Sequence, residues 1–320
     1  MVFSPDGASL ASVGSYPDYL LHVWNWMEES VVLLAKAFSQ EVYKVEFSPR
    51  NPGILYTSGT GHIRFWKMAR TFTGLKLQGD IGRFGNVELS DISCFVELPD
   101  GKVLSGSESG NLLLWDGNLV KVEISRRNHG NCHSGMVESL WLDKGPAGET
   151  LVASAGADGF IRHWPFEQID QAQPEEGRPV ASIDCAQEFS VAAGSRIRDL
   201  YRGADRWIVQ DDGGALWSLD PQAKTSAPLL AVHAGAVVSV LTSPIENICV
   251  SCGADGTVRV VDLKSSRRAA SQLFNSPCSS MLWAPSEIDP QLRTLLVGFA
   301  DGVVRVVALE GAAMPSITSR

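Results

Sequence analysis

Apolar and polar positions alternate along this chain in short blocks, and one block is repeated. From Leu151 to Trp164 the sequence reads LVASAGADGFIRHW. Leu151-Val152-Ala153-Ser154 is a short apolar run that suits a strand buried on both faces. Gly156-Ala157-Asp158-Gly159 follows as a tight turn, with glycine free to take positive φ. Phe160–Trp164 then reads as a second strand of large side chains. The same unit recurs at Tyr56–Trp66, Leu104–Trp115, Val250–Val261 and Val297–Val307.

The turn glycines give the period. Gly61, Gly110, Gly159, Gly214, Gly256 and Gly302 stand 49, 49, 55, 42 and 46 residues apart. Three places after the glycine come Arg64, Arg162, Arg259 and Arg305, each followed two places later by an aromatic residue or valine. A period of about 45 residues with two hairpins per unit predicts an all-β fold, a β-propeller of about seven four-stranded blades. The units span roughly 2–38, 43–91, 93–130, 136–190, 197–235, 237–275 and 280–319, as one domain over 1–320.

Several segments modify this plan. Residues 68–91 run long and hold four glycines, which predicts an extended loop around a short outer strand, with Phe72 and Phe84 exposed as partner contacts. Gln171–Pro179 (QAQPEEGRP) reads as a polar loop with no means of packing. The fifth unit is degenerate, and Trp217 occupies the slot where other units carry arginine, a third candidate contact. Val2-Phe3-Ser4 reads as the end of an inner strand, and Ala312–Ser319 as the last outer strand or a frayed tail. With no strand shared between the two ends, the first and seventh blades are expected to meet by side-chain packing alone.

Composition narrows the function. The 320 residues are 44% hydrophobic, yet no apolar run reaches the ~20 residues of a membrane helix. A net charge of −9 argues against broad contact with nucleic acid or an anionic membrane, so neither is expected as a partner. The opening residues show no secretory leader pattern, and six scattered cysteines read as reduced core thiols. Both point to an intracellular chain.

Candidate chemistry is sparse. His133, Ser154 and Asp158 invite a nucleophile reading, but they fall before the inner strand, on the second strand and in the following turn. That placement predicts a structural hydrogen-bond chain ending on the Trp164 indole. His233, Ser251 and Asp255 form a partial copy, with Val261 in place of the tryptophan. Cys249 and Cys252 are three apart on a strand and so face opposite ways. His129, Cys132 and His133 lack a fourth ligand, so no metal, cofactor or catalytic residue is expected. A propeller enzyme would need polar groups converging at the inner-strand starts, where Glu46, Cys94, Glu138, Asp199 and Ser239 are few and mixed.

Asp-Gly turns with closing tryptophans resemble the WD-repeat family, and the likeness covers essentially the whole chain. Less generic stretches, Lys36–Gly85 with its FTGLKLQG segment, Glu97–Ile124 with NLLLWDG, and Trp283–Leu309, resemble the cilia- and flagella-associated WD-repeat proteins. That resemblance implies a non-enzymatic axonemal scaffold of the cytoskeleton, tethering inner-arm dynein to doublet microtubules beside a sister WD-repeat protein. Such proteins carry further WD sequence on both sides and a long coiled-coil tail, so the chain reads as a fragment or a shortened gene product. The alternatives are a cytosolic adaptor, such as a ubiquitin-ligase substrate receptor, and the propeller enzyme already described.

Overall fold

The computed structural model describes residues 1–320 except 128–129, 146, 192–194, 204–205, 232, 266, 311–315 and 320. The first sheet holds β1 (Val2–Phe3), β2 (Leu10–Val13), β3 (Leu20–Asn25) and β4 (Ser30–Lys36). The second holds β5 (Val42–Phe47), β6 (Ile54–Gly59), β7 (His62–Thr71) and β8 (Gly74–Ile81). In the third, β9 (Phe95–Glu97), β10 (Val103–Gly106), β11 (Leu112–Asp116) and β12 (Leu119–Arg126) follow in order. The fourth sheet comprises β13 (Val137–Lys144), β14 (Thr150–Gly156), β15 (Phe160–Pro165) and, as its outer strand, β17 (Gln187–Ser190). Between β15 and β17 come a short helix, α1 (Phe166–Asp170), and β16 (Val180–Ile183).

Three more sheets complete the described residues. The fifth is β18 (Ile197–Arg202), β19 (Trp207–Asp211), β20 (Ala215–Asp220) and β21 (Thr225–Ala231). The sixth is β22 (Val237–Thr242), β23 (Ile248–Gly253), β24 (Thr257–Asp262) and β25 (Arg267–Leu273). The seventh is β26 (Cys278–Trp283), β27 (Thr294–Phe299), β28 (Val304–Glu310) and β29 (Ser316–Ser319). In each sheet four strands form an antiparallel meander, the blade unit of a WD-type β-propeller. Of the expected tail at Ala312–Ser319, Ser316–Ser319 pairs with β28, and 311–315 lie outside the described residues.

By compactness the chain divides into residues 1–207 with 220–226, and residues 208–219 with 227–320. In the first unit the core is laid down where neighbouring sheets face each other. Leu21, Val23, Leu55 and Trp66 pack the first sheet on the second. Tyr56, Ile63, Phe95 and Trp115 pack the second on the third, and Leu112, Leu114, Val152 and Trp164 the third on the fourth. In the second unit, Val250, Val260, Val297 and Val307 join the sixth and seventh sheets. Strands buried on both faces account for the near-continuous apolar runs of the repeat.

Three expectations require correction. Residues 68–81 are not a loop around a short strand, and only the turn at 72–73 and residues 82–91 stay outside the named strands. β7 and β8 form a long hairpin, registered from Arg64↔Ile81 to Thr71↔Gly74, with Phe72 fully exposed at its tip. Phe84 is not exposed: it is buried edge-on against Trp115, ring centroids 5.2 Å apart, because the segment after β8 folds back onto the third sheet. Nor does the polar stretch at 171–179 lack packing. Ala172 is buried in the core between the third and fourth sheets, and the Glu123 N–H donates to the Pro179 carbonyl. The segment leads into β16, which adds to β12 in parallel, pairing Glu123–Arg126 with Val180–Ile183, so the third sheet has five strands.

The two phenylalanines should therefore respond differently to substitution. Phe84→Ser empties a core position, with an expected loss of about 3–5 kcal/mol. Phe72→Ser should stay within ~0.5 kcal/mol of the parent. Thermal unfolding of the two single variants checks this, and equal losses would contradict the placement of Phe84.

A buried hydrogen-bond relay as the candidate functional site

Four tryptophans follow one register rule. Ser12, Thr57, Ser105 and Ser154 lie on the second strands opposite His22, Arg64, Leu113 and Arg162. The tryptophan two residues beyond each of those partners shares their face of the sheet, diagonally across from the hydroxyl. Its indole N–H donates to that hydroxyl every time: Trp24 to Ser12 at 2.8 Å, Trp66 to Thr57 at 2.9 Å, Trp115 to Ser105 at 2.8 Å and Trp164 to Ser154 at 2.9 Å. The hydroxyls Ser12, Thr57 and Ser105 escaped the reading of the sequence. A Ser or Thr nine to twelve places before a closing Trp was the available signal.

In the fourth sheet the chain of bonds continues. Ser154 Oγ lies 2.7 Å from His133 Nε2, and His133 Nδ1 lies 2.9 Å from Asp158 Oδ1. The indole at one end can only donate, and the ionised Asp158 carboxylate at the other can only accept, which together set the directions. Ser154 accepts from Trp164 and gives its own proton to Nε2, leaving Nδ1–H to donate to the carboxylate. Asp158 also accepts from the Ser134 and Phe160 N–H groups and from Arg162 Nη1 at 2.8 Å. Both of its oxygens are thus well supplied with donors. Arg162 Nε reaches on to Glu188 at 2.7 Å, and Arg126 of β12 meets the same Glu188 oxygen at 3.0 Å. The relay therefore runs from the core of the fourth sheet to the outer strand of the third.

Electrostatics agree with these directions. Burial comes first in pushing the His133 imidazole below its ordinary value, and the nearby Arg162 charge adds to that. A neutral ring with its proton on Nδ1 is the state that fits. Burial opposes ionisation of Asp158, but the bonds from His133 and Arg162 outweigh it and hold the carboxyl well below the usual carboxylate range. In the sixth sheet His233 lies 2.8 Å from Ser251 Oγ and 3.0 Å from Asp255 Oδ1. There Thr257 Oγ1 donates to Asp255 at 2.8 Å, and backbone and side-chain donors overcome burial to hold Asp255 at about 2.

Glycine makes room for both rings. A Cβ on Gly156 would sit 2.3 Å from His133 Nδ1, and one on Gly253 would sit 2.5 Å from His233 Nδ1. No side chain fits at that approach, which explains the glycine two places before each relay aspartate.

The serine, histidine and aspartate share the connectivity of a nucleophilic triad. Their setting removes the chemistry. Ser154 is completely buried, and both its hydrogen-bonding directions are occupied by Trp164 and His133. A substrate carbonyl has no path to Oγ. The inner-strand polar residues are also engaged locally: Glu46 pairs with Lys44, Glu138 with Arg196, and buried Cys94 donates to the Val137 carbonyl. Burial pushes the Cys94 and Cys132 thiols up to about 12, which keeps them protonated and unreactive. No three His, Cys, Asp or Glu side chains among the described residues form a metal-binding group. His129 lies outside the described residues.

Trp217 is half-buried, not a free surface ring. Its indole donates to Asp211 Oδ2 at 2.8 Å, and the same carboxylate takes the Ala215 N–H. In the neighbouring repeats an arginine meets the turn aspartate, as Arg305 meets Asp301 at 2.8 Å. Here the turn residue is Gly213, the aspartate has moved to the strand end, and the indole replaces the guanidinium.

Two expectations follow. Asp158→Ala leaves Arg162 and the His133 Nδ1–H without their main acceptor in a buried site, a loss of about 3–5 kcal/mol. Gly156→Ala, which displaces the ring, should produce a comparable loss, and a melting temperature unchanged in both variants would refute the relay. The second expectation concerns pH. His133 binds its proton less readily folded than unfolded, so the unfolded state takes up more protons as pH falls through about 6.5 and the fold loses stability there. The lowered Asp158 acts in the same direction further into acid. His133→Gln should be less stable at neutral pH yet lose less on acidification to about 5.5, and parallel stability-against-pH curves for parent and variant would contradict this assignment.

Comparison with known proteins agrees with the repeat. Residues 226–262 match the family described as WD domain, G-beta repeat. The chain is 44% identical over 315 residues, 96% of its length, to cilia- and flagella-associated protein 44 of Mus musculus, of which that stretch is 17%. It is 45% identical over 97% of its length to the Chlamydomonas reinhardtii protein of that name, covering 18% of it. With the Trypanosoma brucei brucei protein it shares 35% identity over 95% of its length and 19% of the relative. The chain thus spans under a fifth of the length of these relatives. Repeating four-stranded sheets, closing tryptophans and a matched repeat together give this chain the fold of a WD-type β-propeller.

Proposed function

We propose that this chain is the WD-repeat portion of a ciliary and flagellar scaffold, and that it works by binding other axonemal proteins without catalysing a reaction. The observation that carries this reading is identity of 44% and 45% across nearly the whole chain to proteins named for cilia and flagella in a mammal and an alga. The internal chemistry supports a scaffold. The serine, histidine and aspartate of the relay hydrogen-bond one another in the interior. Exposed apolar side chains at hairpin tips and outer strands, Phe72 and Leu34 among them, leave surface for partners. The more specific role is to help tether inner-arm dynein to doublet microtubules beside a sister WD-repeat protein.

Affinity capture of the tagged chain from ciliated and non-ciliated cells, read by mass spectrometry, tests this reading. Axonemal components, including dynein-arm and doublet-microtubule proteins, are expected only from ciliated cells. Recovery of the same ubiquitin-ligase subunits from both cell types would overturn it in favour of a general substrate adaptor.

A further inference from the structure

A cleft of about 800 Å³ opens beside the fourth sheet, with Lys144 and Gly145 on one side and Arg202, Gly203, Pro221 and Lys224 on the other. Its floor is aromatic. His163, Phe189 and Trp207 pack edge to face with ring centroids 5.3–6.1 Å apart, and Trp141 joins Trp207 at 6.0 Å. Its lining is cationic: Lys144, Arg202 and Lys224 stand against the single carboxylate of Asp143.

That carboxylate is already engaged. Asp143 accepts from His163 Nε2 at 3.3 Å and lies 3.8 Å from Arg202. Arg202 is steered by its bond to the Leu142 carbonyl and by its place over the Trp141 ring. Lys224 Nζ sits 5.8 Å over the Phe189 ring. Asp220, which caps the Gln222 and Ala223 N–H groups, and Glu149, which takes the Ala147 N–H, keep their charge but are not among the described residues that line the cleft. The cleft therefore carries surplus positive charge on a chain whose net charge is −9. In its wall, the His163 Nδ1 is buried without a hydrogen-bond partner among the described residues.

We propose that this cleft binds an acidic peptide segment, with side-chain carboxylates meeting Lys144, Arg202 and Lys224 and the peptide lying over the Phe189–Trp207 floor. Shape and charge both select this occupant. An open groove rimmed by separate cations fits carboxylates spaced along an extended chain, and aromatic faces favour a peptide's apolar stems. A strongly acidic protein repels polyanions elsewhere, so the local field at this groove also sets where they dock. The inference stands independently of any ciliary role.

Fluorescence anisotropy of labelled oligoglutamate and oligoglutamine peptides with the full 320-residue chain tests it. Oligoglutamate is expected to bind and oligoglutamine not, with affinity falling as salt rises. Lys144→Gln with Lys224→Gln leaves the Arg202–Leu142 contact in place and should weaken oligoglutamate about tenfold, a 1.4 kcal/mol difference. A control with the same charge change on remote surface, Lys76→Gln with Arg127→Gln, should bind as the parent does. Equal weakening in both double variants would overturn the proposal, since general charge attraction would then suffice. Oligoglutamate binding no tighter than oligoglutamine would overturn it as well. Should the cleft variant lose its thermal transition, Lys224→Gln alone, at an exposed turn, serves instead, with a smaller loss expected and no loss counting against the site.

Discussion

At Trp24, Trp66, Trp115 and Trp164 the indole N–H finds its acceptor in a hydroxyl on the neighbouring strand. Much else depends on that bond. The tryptophan fills the space between two sheets, so it cannot be moved to the surface without opening the core. Its N–H is then satisfied by a Ser or Thr on the diagonal, which places a polar residue inside an otherwise apolar strand. A slip of one residue in pairing would turn both groups to the other face, so the bond also pins register. In the fourth sheet the serine's own proton needs an acceptor in turn. His133 supplies it, Asp158 fixes the ring, and Arg162 balances the carboxylate.

This dependence explains why residues that make a hydrolytic relay in other settings make a cross-link here. Connectivity is common to both, and burial decides between them. With Ser154 sealed beneath Trp164, the network joins a loop, a strand and a turn of one repeat unit. The sixth sheet reaches a similar result with fewer parts. Val261 needs no acceptor, and Thr257 donates to Asp255 in the way Arg162 donates to Asp158. Similar geometry from different side chains indicates that the constraint lies in satisfying buried polar groups, with residue identity following from it.

The repeat period, the Asp-Gly turns and the closing tryptophans were legible in the sequence because each is a local pattern with a local cause. The relay was partly legible for the same reason: His133, Ser154 and Asp158 stand within one unit and have counterparts in His233, Ser251 and Asp255 of another. Long-range features were not. Phe84 looked like a loop residue, since nothing near it in sequence reveals that Trp115 stands ready to cover it. The segment from Gln171 to Pro179 looked unpackable because its polarity conceals Ala172 and a backbone that pairs with β12. Trp217 looked exposed because its partner, Asp211, sits two places before the turn residue that carries the aspartate elsewhere. In each case the deciding contact came from another segment or from a shifted position.

The fifth strand of the third sheet bears on how the chain is made. Glu123 on β12 faces Val180 on β16, about sixty residues later in synthesis. During translation at ~5–20 residues per second, the outer edge of β12 would wait on the order of 3–12 s for its cover. An uncovered strand edge in a nascent chain is a template for mispairing with other chains on the same message. Lys121 and Glu123, charged residues spaced along that strand, are the kind of side chain that discourages such pairing, so the sequence guards the edge before the fold can cover it.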